Sequence, residues 1–150
     1  MTKEELVRFV DDYLKKLGYI RKGKSWYKEN SETITIFTLD KSQYSLLYYA
    51  SLHFSLRGIN KEKFPKFYKT HAYFRAEYFM DEDPKHYLYL ENELDDNLRK
   101  QEIKKLLQRA ASILKLFETT KGIKKTLKLY NPRVLGIKLN AQNYLRIKIK

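Results

Sequence analysis

Between Leu46 and Arg57 the chain alternates with a period of two. Leu46, Tyr48, Ala50, Leu52, Phe54 and Leu56 point one way, and Leu47, Tyr49, Ser51, His53, Ser55 and Arg57 the other. Successive side chains of a strand face opposite sides, whereas helical apolar residues recur every three or four positions. The run is therefore a strand with one core face and one polar, partly aromatic face. A sheet with a single helix-covered face, of the antiparallel kind, follows from it.

The other elements are read around this strand. Thr2 is a good N-cap with Glu5 three residues on, a capping box. Leu6, Val7, Phe9, Val10, Tyr13, Leu14 and Leu17 follow at helical spacing, and Gly18 stands where a left-handed cap is needed. A helix is predicted over about 3–17. Tyr19 to Glu29 reads as extended structure broken at Gly23, and Asn30-Ser31 as a turn. Thr33 to Leu39 is a strand whose apolar phase shifts between Ile36 and Phe37, which predicts a bulge or burial on both faces. Asn60 to Tyr68, with Phe64, Pro65 and Phe67, is a short helix or turn. Ala72 to Met80 is a strand with Phe74, Ala76, Tyr78 and Met80 inward, Asp81 to Pro84 a charged turn, and Tyr87 to Leu90 a last short strand.

A long helix is predicted over about 94–117, with Leu98, Ile103, Leu106, Leu107, Ala110, Ile113, Leu114 and Phe117 as its buried stripe. Asp95 and Asp96 suit its positive end. Ile123 to Tyr130 reads as a shorter helix. Leu135, Ile137 and Leu139 alternate, as do Leu145, Ile147 and Ile149, which predicts a basic C-terminal hairpin; a short helix over Leu139 to Leu145 is the competing reading. Short turns between sequential strands make the expected architecture one α+β domain over 1–150: an antiparallel meander of about five strands, with the N-terminal and late helices on one face.

At 150 residues one sizeable core is feasible. Without cysteine there is no disulfide, thiolate metal site or cysteine nucleophile. The N-terminal segment lacks the apolar stretch of a signal peptide, and no apolar run approaches membrane-span length. A cytoplasmic location with no membrane contact is the expectation. The net charge of +13 is unevenly placed. From Glu77 to Asp96 eight acids stand against the single base Lys85; from Thr119 to Lys150 there are nine bases and no acid. Such a basic extension attracts phosphate backbones or acidic proteins, and an acidic middle opposite it favours self-association.

The segment Leu17-Gly18-Tyr19-Ile20-Arg21-Lys22-Gly23-Lys24-Ser25-Trp26-Tyr27, continued by Leu39-Asp40-Lys41-Ser42 and the strand through Tyr49, resembles a bacterial family known as domain of unknown function 4304. The resemblance extends to about Tyr130. It implies an N-terminal helix, a Leu-Gly-aromatic turn, an aromatic strand and a late helix, and it brings no assigned activity.

Nucleotide-binding glycine loops, the nucleophile elbow and the HExxH zinc motif are absent. His53, His71 and His86 have no ligand spacing, so no metal or cofactor is expected. His53 on the polar strand face, with Tyr49 and Arg57, is a candidate general base beside an anion clamp if that face lines a cleft; a hydrogen-bonded structural histidine is the favoured alternative. Trp26 and Tyr27 beside Arg21, Lys22 and Lys24 suit stacking on bases, although tryptophan is more often core. Lys121, Lys124, Lys125, Lys128, Arg146, Lys148 and Lys150 supply further candidate phosphate contacts. The expected function is a non-enzymatic binding module for an anionic partner, foremost nucleic acid. The alternative is a protein-interaction or accessory factor, immunity- or antitoxin-like, in a bacterial conflict or regulatory system.

Overall fold

The computed structural model describes residues 1–130 and 136–147. Among these, six strands form one antiparallel sheet in sequence order: β1 (Ile20–Lys22), β2 (Ser25–Glu29), β3 (Thr33–Lys41), β4 (Tyr48–Leu56), β5 (Ala72–Arg75) and β6 (Gly136–Ile137). The helices are α1 (Lys3–Lys15), α2 (Lys85–Leu88), α3 (Asp96–Leu116), α4 (Thr120–Leu129) and α5 (Leu139–Leu145). The fold is the expected α+β meander, with one strand more than the pattern predicts.

The N-terminal helix forms as its sequence dictates. Thr2 Oγ1 accepts from the Glu5 amide, and Gly18 takes the left-handed conformation at φ 93°. Leu6, Val10 and Leu14 share one face and enter the main core with Trp26, Phe37, Leu52 and Phe54. The Trp26 indole N–H donates to Asp11 at 2.9 Å, so helix and sheet are joined by a hydrogen bond as well as by apolar contact.

The phase shift in β3 resolves as burial on both faces, without a bulge. Its register with β2 and β4 is unbroken. Phe37 and Leu39 enter the main core; Ile34 and Ile36 join Tyr27 in a second small core on the opposite face. Phe64 covers Tyr27 edge-on at 5.3 Å, and the Tyr27 hydroxyl donates to the Pro65 carbonyl. The segment between β4 and β5 thus covers one half of the face that the helices leave open.

Four expectations are corrected. β5 ends at Arg75, and Ala76–Phe79 forms a 3₁₀ turn. The turn puts Phe79 against Phe74, Phe117 and Tyr130, while Tyr78 faces solvent. Packing four rings together outweighs continuing the ladder with β4. The segment from Tyr87 is a helical turn rather than a strand, because Arg99 of α3 reaches across and takes the carbonyls of Tyr87, Tyr89 and Asn92. Only an isolated bridge between Leu47 and Tyr89 remains of the expected pairing. Arg99 is buried while Leu98, expected inside, is exposed. Finally, the described C-terminal residues follow the competing reading, a helix over Leu139–Leu145, and not the hairpin, of which Leu135 and Ile149 lie outside the described residues. Gly136 and Ile137 pair with β5, and the chain turns into α5, which buries Ala141 and Leu145 one turn apart.

At the α3–α4 corner, a Cβ on Gly122 would lie 1.9 Å from the Leu116 carbonyl oxygen, which cannot move aside as a side chain does. Helix propensity alone favours alanine by roughly 1 kcal/mol. Gly122→Ala is nevertheless expected to destabilise by about 2 kcal/mol, because the two helices must separate. Chemical denaturation checks this; a stabilised variant would show the corner to be loose.

Candidate functional site

The half of the open sheet face left uncovered is a groove of about 720 Å³. Its floor follows from strand register. Ser25 of β2 lies opposite Thr38 of β3, and their hydroxyls are 3.0 Å apart. One row along, Tyr27, Ile36, His53 and Tyr73 lie side by side across β2 to β5. One wall is aromatic. Tyr73 meets His53 edge-on at 5.0 Å, and Phe67 and Tyr68 descend from a 3₁₀ turn with their own rings edge-on at 5.6 Å. Phe67 is 66% exposed and Tyr68 55%. Three cations also line the groove, Lys22 and Lys24 at the β1–β2 turn and Lys66 just before the aromatic turn, with the single acid Asp40, which pairs with Lys24. Aromatic faces, the Lys24–Asp40 pair and two lysines without an ion pair among the described residues, Lys22 and Lys66, thus border one polar floor.

His53 is 1% exposed. Thr70 Oγ1 donates to the Phe67 carbonyl at 2.7 Å, so it serves His53 Nδ1 as acceptor, at 3.3 Å. The proton therefore sits on Nδ1, and Nε2 accepts from the Ser51 hydroxyl at 3.1 Å. Burial dominates the electrostatics of this ring. It lowers the pKa to about 4, against weaker raising effects from Asp40 and a backbone hydrogen bond to Ala72. His71, in the neighbouring loop, accepts the Leu56 amide on Nδ1 at 2.8 Å, and burial followed by Lys138 lowers its pKa as well.

The other sequence candidates disperse. Lys22 and Lys24 reach the groove, but Arg21 lies on the opposite side of β1, bonded to the Gly23 carbonyl with its guanidinium 5.9 Å from the Trp26 ring centre. Trp26 is fully buried and has no face to offer a base. Arg57 is paired with Glu29 at 3.1 Å and donates to the Asn30 carbonyl, away from the groove. Tyr49 lies under the Arg75 guanidinium at 4.1 Å. Lys121, Lys124, Lys125 and Lys128 gather along α4. That helix is anchored at Thr120 by Glu32 of the β2–β3 turn, the end of β2 opposite Lys22 and Lys24. Among the described residues none of these four lysines pairs with an acid, and no ion pair joins the acidic 77–96 segment to the basic extension. Arg146 caps α5 in the left-handed conformation; Lys148 and Lys150 lie outside the described residues.

The sequence reading missed Asp40, Lys66, Phe67, Tyr68 and Tyr73 as groove residues. A signal existed in Phe64-Pro65-Lys66-Phe67-Tyr68-Lys69, where aromatic and basic residues interleave, but it reads locally as a turn. Among the described residues no three His, Asp or Glu side chains group so as to hold a metal ion, and no helix is long and apolar enough to cross a membrane.

A family model described as Domain of unknown function (DUF4304) matches residues 10–119. No curated protein matches the chain, and no solved structure does. The matched span holds every groove residue named above; the α4 lysines lie beyond it. With well over half of its residues matched, the chain belongs to the domain of unknown function 4304 family.

Proposed function

We propose that the protein is a non-enzymatic binding module for an anionic partner, and that the partner is single-stranded nucleic acid laid across the open half of the sheet. The observation that carries this reading is the groove itself: exposed rings of Phe67, Tyr68 and Tyr73 together with Lys22, Lys24 and Lys66 around a floor of hydroxyls. Single-strand binders combine such elements, with rings stacking on bases and cations following phosphates. The α4 lysines offer a second, sequence-independent phosphate contact. Supporting binding over catalysis, both nitrogens of His53 are occupied, and the Ser51 hydroxyl beside it is buried beneath the floor. A bacterial, cytoplasmic setting belongs to the same proposal.

The test is fluorescence anisotropy with short labelled RNA and DNA strands at low and at physiological salt. Binding is expected to weaken steeply with salt, by a logarithmic slope of about −0.7 per phosphate neutralised. Phe67→Ala, which removes a ring that supports little of the core, is expected to weaken binding about tenfold, one lost stacking contact. No binding at low salt, or an unaffected Phe67→Ala variant, would overturn the proposal. Salt-insensitive capture of an acidic protein, or salt-sensitive self-association of acidic middle with basic extension, would move the function to protein interaction.

A further inference from the structure

The groove contains one group unsuited to a phosphate. Asp40 is the single acid among its lining residues. It lies on β3 two residues beyond Thr38, so its side chain shares the open face with the Ser25 and Thr38 hydroxyls. Lys24 Nζ, from the β1–β2 turn, donates to Asp40 Oδ1. Among the described residues no hydrogen bond to Oδ2 is found. The Lys24 side chain is 62% exposed and that of Asp40 31%, and ion pairs at such exposure add little to stability. Stability therefore does not account for a carboxylate placed among three lysines.

Base edges supply what a carboxylate accepts. Unstacked bases of a single strand are read on their Watson–Crick edges. The Lys24–Asp40 pair sets an ammonium donor beside two carboxylate acceptors. Each carboxylate oxygen has two acceptor sites, so Oδ1 can serve Lys24 and a base together. Guanine is the base with the matching order: O6 accepts, and N1–H and the N2 amino group donate. Adenine, cytosine and uracil each offer the carboxylate a single donor position, so one of its oxygens stays unpaired or meets a carbonyl. We infer that this pair selects guanine, with O6 on Lys24 Nζ and the two N–H donors on Asp40. The inference rests on the strand-binding reading of the groove and adds base selectivity to it. The exposed rings of Phe67, Tyr68 and Tyr73 stack on neighbouring bases without regard to identity.

Anisotropy at low salt with short labelled thymidine strands, whose central base is guanine, hypoxanthine, adenine, cytosine or thymine, tests the inference. Calorimetry with guanosine and adenosine monophosphates separates a base within a strand from a free nucleotide. The guanine strand is expected to bind about tenfold more tightly than the adenine, cytosine and all-thymine strands. Hypoxanthine, which lacks the N2 amino group, is expected to fall between. The isosteric Asp40→Asn is expected to bind the all-thymine strand at least as well as the native chain, because a negative charge is gone, and to lose the guanine preference. An ion pair with a merely structural role would move all strands alike. Equal affinity for every strand, or a guanine preference that survives in Asp40→Asn, overturns guanine selection and leaves strand binding standing. Heat from guanosine monophosphate with no strand bound keeps the guanine site and overturns the strand reading; no binding by any strand or nucleotide overturns both.

Discussion

Replacing Arg99 by alanine is expected to lower the unfolding free energy by about 4 kcal/mol, read from urea denaturation. The side chain is 1% exposed, and among the described residues no carboxylate pairs with it. Its compensation comes from backbone. Nη1 donates to the carbonyls of Tyr87 at 2.7 Å and Tyr89 at 3.2 Å, and Nη2 to that of Asn92 at 2.7 Å. Truncation orphans all three acceptors at once, at roughly 1–3 kcal/mol for each that stays dry. It also leaves a cavity at the base of α3. Lysine is expected to recover less than half of the loss, because one ammonium cannot reproduce a planar fork across three carbonyls. A loss below about 1 kcal/mol would mean that water replaces the guanidinium without strain.

Acidification from neutral pH to about 4 is expected to remove about 3 kcal/mol of stability through His53 alone. Its pKa falls from 6.5 unfolded to about 4 folded. Between those values the unfolded chain binds the proton and the folded chain does not. The stabilisation is therefore complete above pH 6.5 and is lost as pH falls through 4. His71 acts in the same direction, because its Nδ1 must stay unprotonated to accept the Leu56 amide. His53→Gln, which retains polar groups at the site, should flatten the pH dependence of the urea midpoint in that window. An unchanged slope would show that the imidazole reaches water more readily than its burial indicates. The same neutrality bears on the proposed function: near neutral pH His53 adds no positive charge to the groove floor, so the proposed attraction for an anion rests on the lysines that line the groove.

Elements whose information lies within one or two turns of chain were legible in the sequence. The cap at Thr2 and Glu5, the left-handed Gly18, the period-two run through β4 and the stripe of α3 each state their structure locally. The polar face of β4 was legible too, and with it the place of His53. The groove above it was not. Its aromatic wall comes from a loop whose ring spacing has no period, and only the pairing of β5 beside β4 brings Tyr73, Phe67 and Tyr68 over that face.

What the sequence settled by itself was therefore the α+β class, the order of most elements and an uneven distribution of charge. Tertiary structure alone decided that Tyr87 to Leu90 coils instead of pairing, that Trp26 is core and not a platform for bases, that the C-terminal segment closes the sheet and then turns helical, and which lysines meet aromatic rings. The physical reason is common to all four. Each outcome depends on a partner distant in the chain, whether the Arg99 guanidinium, the Asp11 carboxylate, the edge of β5 or the loop before it, and local periodicity carries no record of which distant group will arrive.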